Sequence, residues 1–478
     1  MTRVTDLFSP LVFRKNGHAL VDLLAEHLQD AAAGRLESVM PRGTPAAHAA
    51  RFAGDFPEVG DGNVLRVVTE ALGASTALHS PGFIGHQVAT PLPDAALCDL
   101  TAALLNNGMA VFEMGPAASA MERAVLAYLA RVLGLPPTAG GVLTSGGSLG
   151  NLTALLAARQ AKAGFDAWRE GLRNRPQLVV YVAETAHYSV ARALRILGLG
   201  DAGVIAVAVD ERLRMRVDAL MDEIRRARNH GRRPIAVVAS ACSTAAGAFD
   251  PIDAIADVCQ REDLWLHVDG AHGAALALSA RHRDTVRGIE RADSVVWDAH
   301  KMMLMPALVT AVLFRDGEAG ARAFSQEAGY LFDEAADSDA WSDIGRRTVE
   351  CTKRMMSLKL YAALAAHGTR VFAEHVDAVC ALARHLAAAA RARGLEVLVE
   401  PECDIVCFRR PGVSGGVTAG VRSALLAEGR FYIVQVHLSS GLWLRCTVLN
   451  PRTTAAELDA MLDRVVALYD AKAQPSTP

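Results

Sequence analysis

From about residue 115 the chain alternates short, continuous apolar runs with longer amphipathic ones. GGVLTSGGS opens as a strand and ends in a glycine turn. QLVVYVAE, VIAVAVD, PIAVVASAC, LWLHVDG, SVVWDAH and LVTAVLF are apolar throughout, the mark of strands buried on both faces. LGNLTALLAARQAKAG, SVARALRILG, RVDALMDEIRRARNHG and PIDAIADVCQRED separate most of them and carry helical apolar spacing. This alternation predicts an α/β fold: a mainly parallel seven-stranded sheet covered by helices. Ligands of such sheets bind where the strands end.

The flanks read differently. HALVDLLAEHLQDAAAG is a helix with a glycine stop, so 1–80 is expected to be an N-terminal helical segment. The large α/β domain is expected over 81–355. A long helix, TKRMMSLKLYAALAAHG, leads into a small C-terminal α+β domain over 356–478. A chain of 478 residues suits such a division.

Composition excludes several classes. With 51 % hydrophobic and 21 % charged residues, the chain is too apolar for disorder. A net charge of −3 gives no reason to expect nucleic-acid or membrane binding. The eight cysteines form no Cys-x-x-Cys pair and often sit in apolar runs, so buried thiols are expected, with no disulfide and no metal. MTRVTDLFSPLVFRKNGHALVDLL lacks the apolar core and cleavage site of a signal peptide. No run of about 20 uncharged apolar residues is present. A cytoplasmic location is expected.

Chemistry concentrates at the predicted strand ends. Lys301 follows SVVWDAH directly. A desolvated lysine loses charge and is suited to forming an imine. Asp269 ends LWLHVDG, with the small residues Gly270, Ala271 and Gly273 after it. Alone, it would be a turn or cap residue; beside a flat cationic ring it would hold the ring nitrogen. TSGGSLGNL places glycines and Ser148 before a helix, where free N–H groups favour an anion. It is neither a dinucleotide fingerprint nor a P-loop. His187, in AETAHYSVARA, follows a strand and begins a helix. Alone it is a cap or core residue; beside a ring it can stack. Each signal is modest, but their order and their strand-end positions agree.

Taken together, TSGGSLGNLTALLAAR, AETAHYSVARA, HVDGAHGAA, ADSVVWDAHKMM, AGYLF and LRCTVLNPRTT resemble the group II pyridoxal-phosphate-dependent amino-acid decarboxylases. That family includes the glutamate, cysteine-sulfinate, aromatic-amino-acid and diaminobutyrate enzymes. The resemblance spans roughly residues 75 to 465 and implies fold type I, the aspartate-aminotransferase-like fold. It implies a Schiff base between Lys301 and pyridoxal 5'-phosphate, with Asp269 on the pyridine nitrogen and Ala271 near the ring. It further implies that His187 stacks on the ring, that Gly147 and Ser148 hold the phosphate, and that Ser243 and His300 lie close by. Asn151 matches a helix-start asparagine of many members. Tyr330 corresponds to a tyrosine on a loop that closes over the partner subunit's site and protonates Cα. A phenylalanine there accompanies aldehyde formation instead. Arg445 matches an arginine near the substrate carboxylate, and His86, Gln87 and Phe112 fall where members meet the substrate.

Two departures stand out. Leu149-Gly150 replaces a common Glu-Ala, and Asp298-Ala299 replaces a common Asn-Pro. An acid at 298 would weaken phosphate contact or face away. The resemblance implies a lyase: a carboxy-lyase that turns an L-amino acid, small and acidic or polar, into an amine and carbon dioxide. It also implies a homodimer with shared active sites. An aldehyde synthase or other lyase on the same fold, or a non-catalytic scaffolding relative, remains an alternative.

Overall fold

The computed structural model describes residues 4–324 and 341–473. The chain forms two compact units. One comprises Met1–His86, His385–Val397 and Cys407–Pro478; the other comprises Gln87–Arg384 and Leu398–Val406.

The second unit holds a seven-stranded sheet: β1 (Gly140–Thr144), β2 (Leu178–Ala183), β3 (Val204–Val207), β4 (Arg233–Ser240), β5 (Trp265–Asp269), β6 (Ser294–Asp298) and β7 (Thr310–Phe314). Their order across the sheet is β1-β7-β6-β5-β4-β2-β3. The run from β3 to β6 is parallel. β7 is antiparallel to both its neighbours, β6 and β1. β1 therefore points the same way as β6, and the carboxyl ends of β1 through β6 share one edge. Most residues of β2, β4, β5, β6 and β7 are buried, as continuous apolar runs require. The helix Gly147–Lys162 packs under the sheet through Ala154, Leu155 and Ala158, and the small alanine side chains allow close approach.

β1 is an edge strand, and an edge leaves backbone groups without a ladder partner. Two charged side chains take that place. Glu122 Oε1 accepts the N–H of Leu143 at 2.9 Å, and Lys353 Nζ donates to the Leu143 carbonyl at 2.7 Å. The two side chains meet at 2.5 Å and both are buried. Burial pushes the Lys353 ammonium down, against the pull of Glu122. This pair also explains a boundary. The run TKRMMSLKLYAALAAHG is helical only as Ser357–His367, because Lys353 is committed to β1.

The first unit contains the helix Pro10–Ala32, capped by the Ser9 hydroxyl, and a four-stranded sheet. That sheet runs β10-β11-β9-β8, with β8 (Glu396–Val397), β9 (Ile405–Arg409), β10 (Val434–Leu438) and β11 (Gly441–Thr447). The segment before His86 lies along it: Ile84 N–H donates to the Tyr432 carbonyl, and Phe83 stacks on the Tyr432 ring at 5.2 Å. Gly85 is required there, since a Cβ would collide with that ring.

The edge pair yields a stability prediction. Glu122→Ala would leave a buried ammonium and an unpaired N–H, so unfolding free energy should fall by about 3–5 kcal/mol. Glu122→Gln, which keeps an acceptor for Leu143, should cost less. Urea denaturation of the three proteins checks the order, and an unchanged midpoint in Glu122→Ala would refute it.

Candidate active site

The turn after β1 begins the site. Gly146 has φ +109°, a conformation that favours glycine, and it lets the helix Gly147–Lys162 start at once. No side chain caps this helix, so its first N–H groups are available to an anion. A Cβ at Gly147 would lie 3.1 Å from both carboxylate oxygens of Asp298 and 3.5 Å from the Ala271 methyl. The ends of β1, β5 and β6 therefore converge at Gly147. Ser148 is the next residue of the helix and is exposed.

Lys301 lies one turn beyond β6. Its Nζ is 3.1 Å from Asp298 Oδ2, and Asp298 Oδ1 accepts the Thr310 hydroxyl at 2.5 Å. His300 Nε2 is 3.5 Å from the same carboxylate, while its Nδ1 is 2.9 Å from the Val309 carbonyl. Asp298 thus faces the lysine and the glycine turn. Of the two orientations open to it from sequence, the inward one is found.

Asp269 ends β5 and is 9 % exposed. Its oxygens accept the Ala271 N–H at 3.3 Å and the Asn151 amide at 3.1 Å. Among the described residues no cationic side chain is paired with it. That is the donor set a protonated ring nitrogen would complete. His187 caps the helix Tyr188–Ile196, its Nδ1 accepting the Ser189 N–H at 3.4 Å. It is also within electrostatic reach of Asp269, Lys301 and Asp298. The ring that caps the helix thus also lies beside the site's charged groups. Burial is the main force holding the His187 and His300 imidazoles below their ordinary range. Ser243 is buried beyond β4, where its hydroxyl accepts the Ala248 N–H at 3.2 Å and fixes a tight turn. These residues fit an aldehyde cofactor with a phosphate and a basic ring nitrogen: a lysine, an uncapped helix start, a carboxylate with no cationic partner among the described residues, and an imidazole.

The substrate candidates divide between the units. His86 and Arg445 belong to the first, where His86 lies 5.8 Å from the Tyr432 ring. Partial burial first, and the charges of Arg445 and Arg422 next, lower the His86 imidazole. Gln87 and Phe112 belong to the second, Phe112 being 42 % exposed in a short 3-10 turn. Tyr330 lies outside the described residues. Sequence reading missed His267, although it stands two residues before Asp269 in one strand and so shares its face. It missed Ser294 and Thr310 too, which nothing in the local pattern distinguishes from core residues. Among the described residues no group of three or more His, Cys, Asp or Glu is arranged to hold a metal ion.

A lysine, carboxylate and imidazole at the carboxyl edge of a mainly parallel sheet define a pyridoxal-phosphate enzyme of fold type I. A family model, the pyridoxal-dependent decarboxylase conserved domain, matches residues 75–410. The chain belongs to that family. It is 34 % identical over 381 residues to human cysteine sulfinic acid decarboxylase, covering 76 % of this chain and 77 % of that protein. It is 32 % identical over 383 residues to the aromatic-L-amino-acid decarboxylase of Bacillus atrophaeus, covering 78 % of each. The crystal structure of mouse CSAD superposes with a TM-score of 0.85 at 29 % identity, over 94 % of this chain and 99 % of that one. The chain is a pyridoxal-phosphate-dependent carboxy-lyase acting on an amino acid.

A pH prediction follows from His267, which burial lowers to about 4 from 6.5. The unfolded chain binds that proton first, so the contribution of a neutral His267 is full above about pH 6.5 and lost as pH falls towards about 4. The stability difference between wild type and His267→Gln should shrink over that window. Urea unfolding of both across the range checks it; a difference independent of pH would mean that His267 is not held neutral.

Proposed function

We propose that this carboxy-lyase takes a small acidic L-amino acid, with its cofactor attached through Lys301. The observation that carries the reading is the convergence of Lys301, Asp269 and His187 at one strand edge beside an uncapped helix. The acidic preference is supported by the identity to a cysteine sulfinic acid decarboxylase and by the cations Arg445 and Arg422 near His86.

Each residue has a task. The Lys301 amine would hold the cofactor through its aldehyde carbon. The N–H groups of Gly147 and Ser148 receive the phosphate, with His300 and Ser243 nearby. Asp269 keeps a proton on the ring nitrogen, Ala271 leaves room for the ring, and His187 covers its face. The cofactor supplies an electron sink for the pair released when carbon dioxide leaves. Asp298, 3.1 Å from Lys301 Nζ, would hold the lysine's ammonium whenever it is not bonded to the cofactor. His86, Gln87, Phe112 and Arg445 are assigned to substrate recognition, Arg445 to its carboxylate. Tyr330 is assigned as the donor that returns a proton to Cα.

The acting species is proposed to be a cytoplasmic homodimer with shared sites. Leu7, Phe8 and Leu11 are each more than 70 % exposed, an apolar surface that a second copy would cover. Six of the eight thiols are buried and all eight are free, which suits a reducing compartment. Among the described residues no helix is long and apolar enough to cross a membrane.

Borohydride reduction of the yellow protein should fix the cofactor to Lys301, read by peptide mapping, and Lys301→Ala should lose turnover. Amine release should be fastest with cysteine sulfinate, aspartate or glutamate. Label on another lysine would overturn the site, and faster release from aromatic amino acids would overturn the substrate class.

Tyr330→Phe keeps the ring and removes the proton donor. The expected result is slower amine formation with new aldehyde, ammonia and peroxide, at unchanged cofactor absorbance. Wild-type amine rates without aldehyde would remove Tyr330 from the mechanism. Mostly aldehyde from the wild type would make the chain an aldehyde synthase.

A further inference from the structure

Behind Asp269 a chain of uncharged polar side chains runs into the sheet. Asn151, His267, Ser294, Ser189 and Trp265 are all buried. Asn151 Nδ2 lies 3.1 Å from Asp269 Oδ2 and 3.0 Å from Ser189 Oγ, and its Oδ1 lies 2.9 Å from His267 Nε2. His267 Nδ1 is 2.9 Å from Ser294 Oγ, which also accepts the Trp265 indole N–H at 2.8 Å. On the other branch, Ser189 Oγ is 2.7 Å from His187 Nδ1.

Donor and acceptor chemistry leaves this network one direction. A carboxylate accepts, so Asn151 must turn its amide nitrogen to Asp269. Its oxygen then faces His267 Nε2, which must carry the proton. With the ring held neutral by burial, His267 Nδ1 is left as an acceptor and takes the Ser294 hydroxyl proton. The indole N–H, which can only donate, fills a lone pair of Ser294 and closes this end. The second amide hydrogen of Asn151 goes to Ser189 Oγ. The Ser189 backbone N–H points at His187 Nδ1 at 3.4 Å, which makes that nitrogen an acceptor, so the Ser189 hydroxyl, already accepting from Asn151, donates to it as well. His187 Nδ1 is thereby an acceptor twice over, and the ring proton sits on Nε2. The reverse direction would press an amide oxygen against a carboxylate with no hydrogen between them.

We infer that Asn151 is a positioning residue: one amide orientation, set by Asp269, fixes the tautomer of His267 and, together with the Ser189 backbone N–H, that of His187, and leaves Nε2–H as the only donor His187 has to offer. The ring therefore presents a neutral N–H to any oxygen brought beside it, and cannot rotate to present a lone pair without breaking two hydrogen bonds. Asp269 and His187, on different strands' ends, become one unit through Asn151. The consequence for catalysis rests on the proposed roles of Asp269 and His187; the tautomer assignment itself does not.

The test reads the protons directly. The full chain, labelled with 15N-histidine, is measured by solid-state 15N NMR as purified and again after cofactor removal. Resonances of His187 and His267 are assigned by their loss in His187→Gln and His267→Gln. Both histidines should show an unprotonated Nδ1 and a protonated Nε2 in both samples. Asn151→Leu should leave His187 as a mixture of tautomers, and should lower kcat more than it changes KM. Ser189→Ala, which keeps the backbone N–H, should release His187 partly while His267 stays fixed. Ser294→Ala should affect His267, and Ser294→Thr should restore it. A protonated Nδ1 on wild-type His187, or a single Nε2–H tautomer persisting in Asn151→Leu, would overturn the inference. If Asn151→Leu does not fold, the wild-type and Ser189→Ala spectra still decide. Because the cofactor-free sample carries the same readout, failure of the cofactor roles would appear separately, as lost turnover effects with the tautomers intact.

Discussion

The parallel pairing of β5 between β4 and β6 is the constraint on which the site depends. Its register sets Ser240 beside Asp269 and Asp269 beside Val296, so β4 and β5 end level and β6 runs two residues further, to Asp298. Lys301 then needs only one turn after β6 to come alongside Asp298, and Ser243 only one after β4. A slip of one residue in β5 would turn Asp269 and His267 together to the opposite face, since strand side chains alternate. Asp269 would lose Asn151, and Asn151 would lose both its carboxylate and its histidine. Continuous apolar burial on both faces gives the pairing its strength, but the polar partners below Asp269 give it a single register.

Most of this was legible in the sequence for a physical reason. Strands buried on both faces must be apolar throughout, so β2, β4, β5, β6 and β7 announce themselves as runs. Chemistry at their carboxyl ends then follows from fold geometry, and Lys301, Asp269 and His187 lie close enough for His187 to feel both charges. Two things were hidden. Whether Asp298 faces in or out depends on Thr310, which arrives from an antiparallel neighbour twelve residues on. The start of the helix Ser357–His367 depends on Glu122, far back in the chain. Such partners are distant in sequence, and local patterning carries no record of them. Nor could it show that residues near the start of the chain share a unit with those near its end.

The site also separates charged from neutral duties. Lys301, Asp298 and Asp269 sit at the strand ends, with Lys301 Nζ 3.1 Å from Asp298 and Asp269 3.1 Å from the Asn151 amide. One layer deeper, every hydrogen-bonding group is neutral: an amide, two hydroxyls, an indole and an imidazole that burial keeps uncharged. A neutral layer costs far less to bury than a second ion pair and still orients the carboxylate above it. A charged alternative appears at the sheet edge, where Glu122 and Lys353 substitute for a missing strand.

The antiparallel insertion of β7 has a consequence for how the molecule is made. Thr144 pairs with Thr310, so the strand that launches the glycine turn waits for a partner synthesised much later. Closing so long a loop carries an entropic cost that local contacts cannot offset early. A nascent chain can assemble β2 through β6 while β1 still lacks its ladder. The Gly146–Gly147 turn, tied to β1, is then among the last parts to reach its final geometry. An anion bound at that turn would be captured only at the end of folding, when the whole span up to Phe314 has emerged and docked.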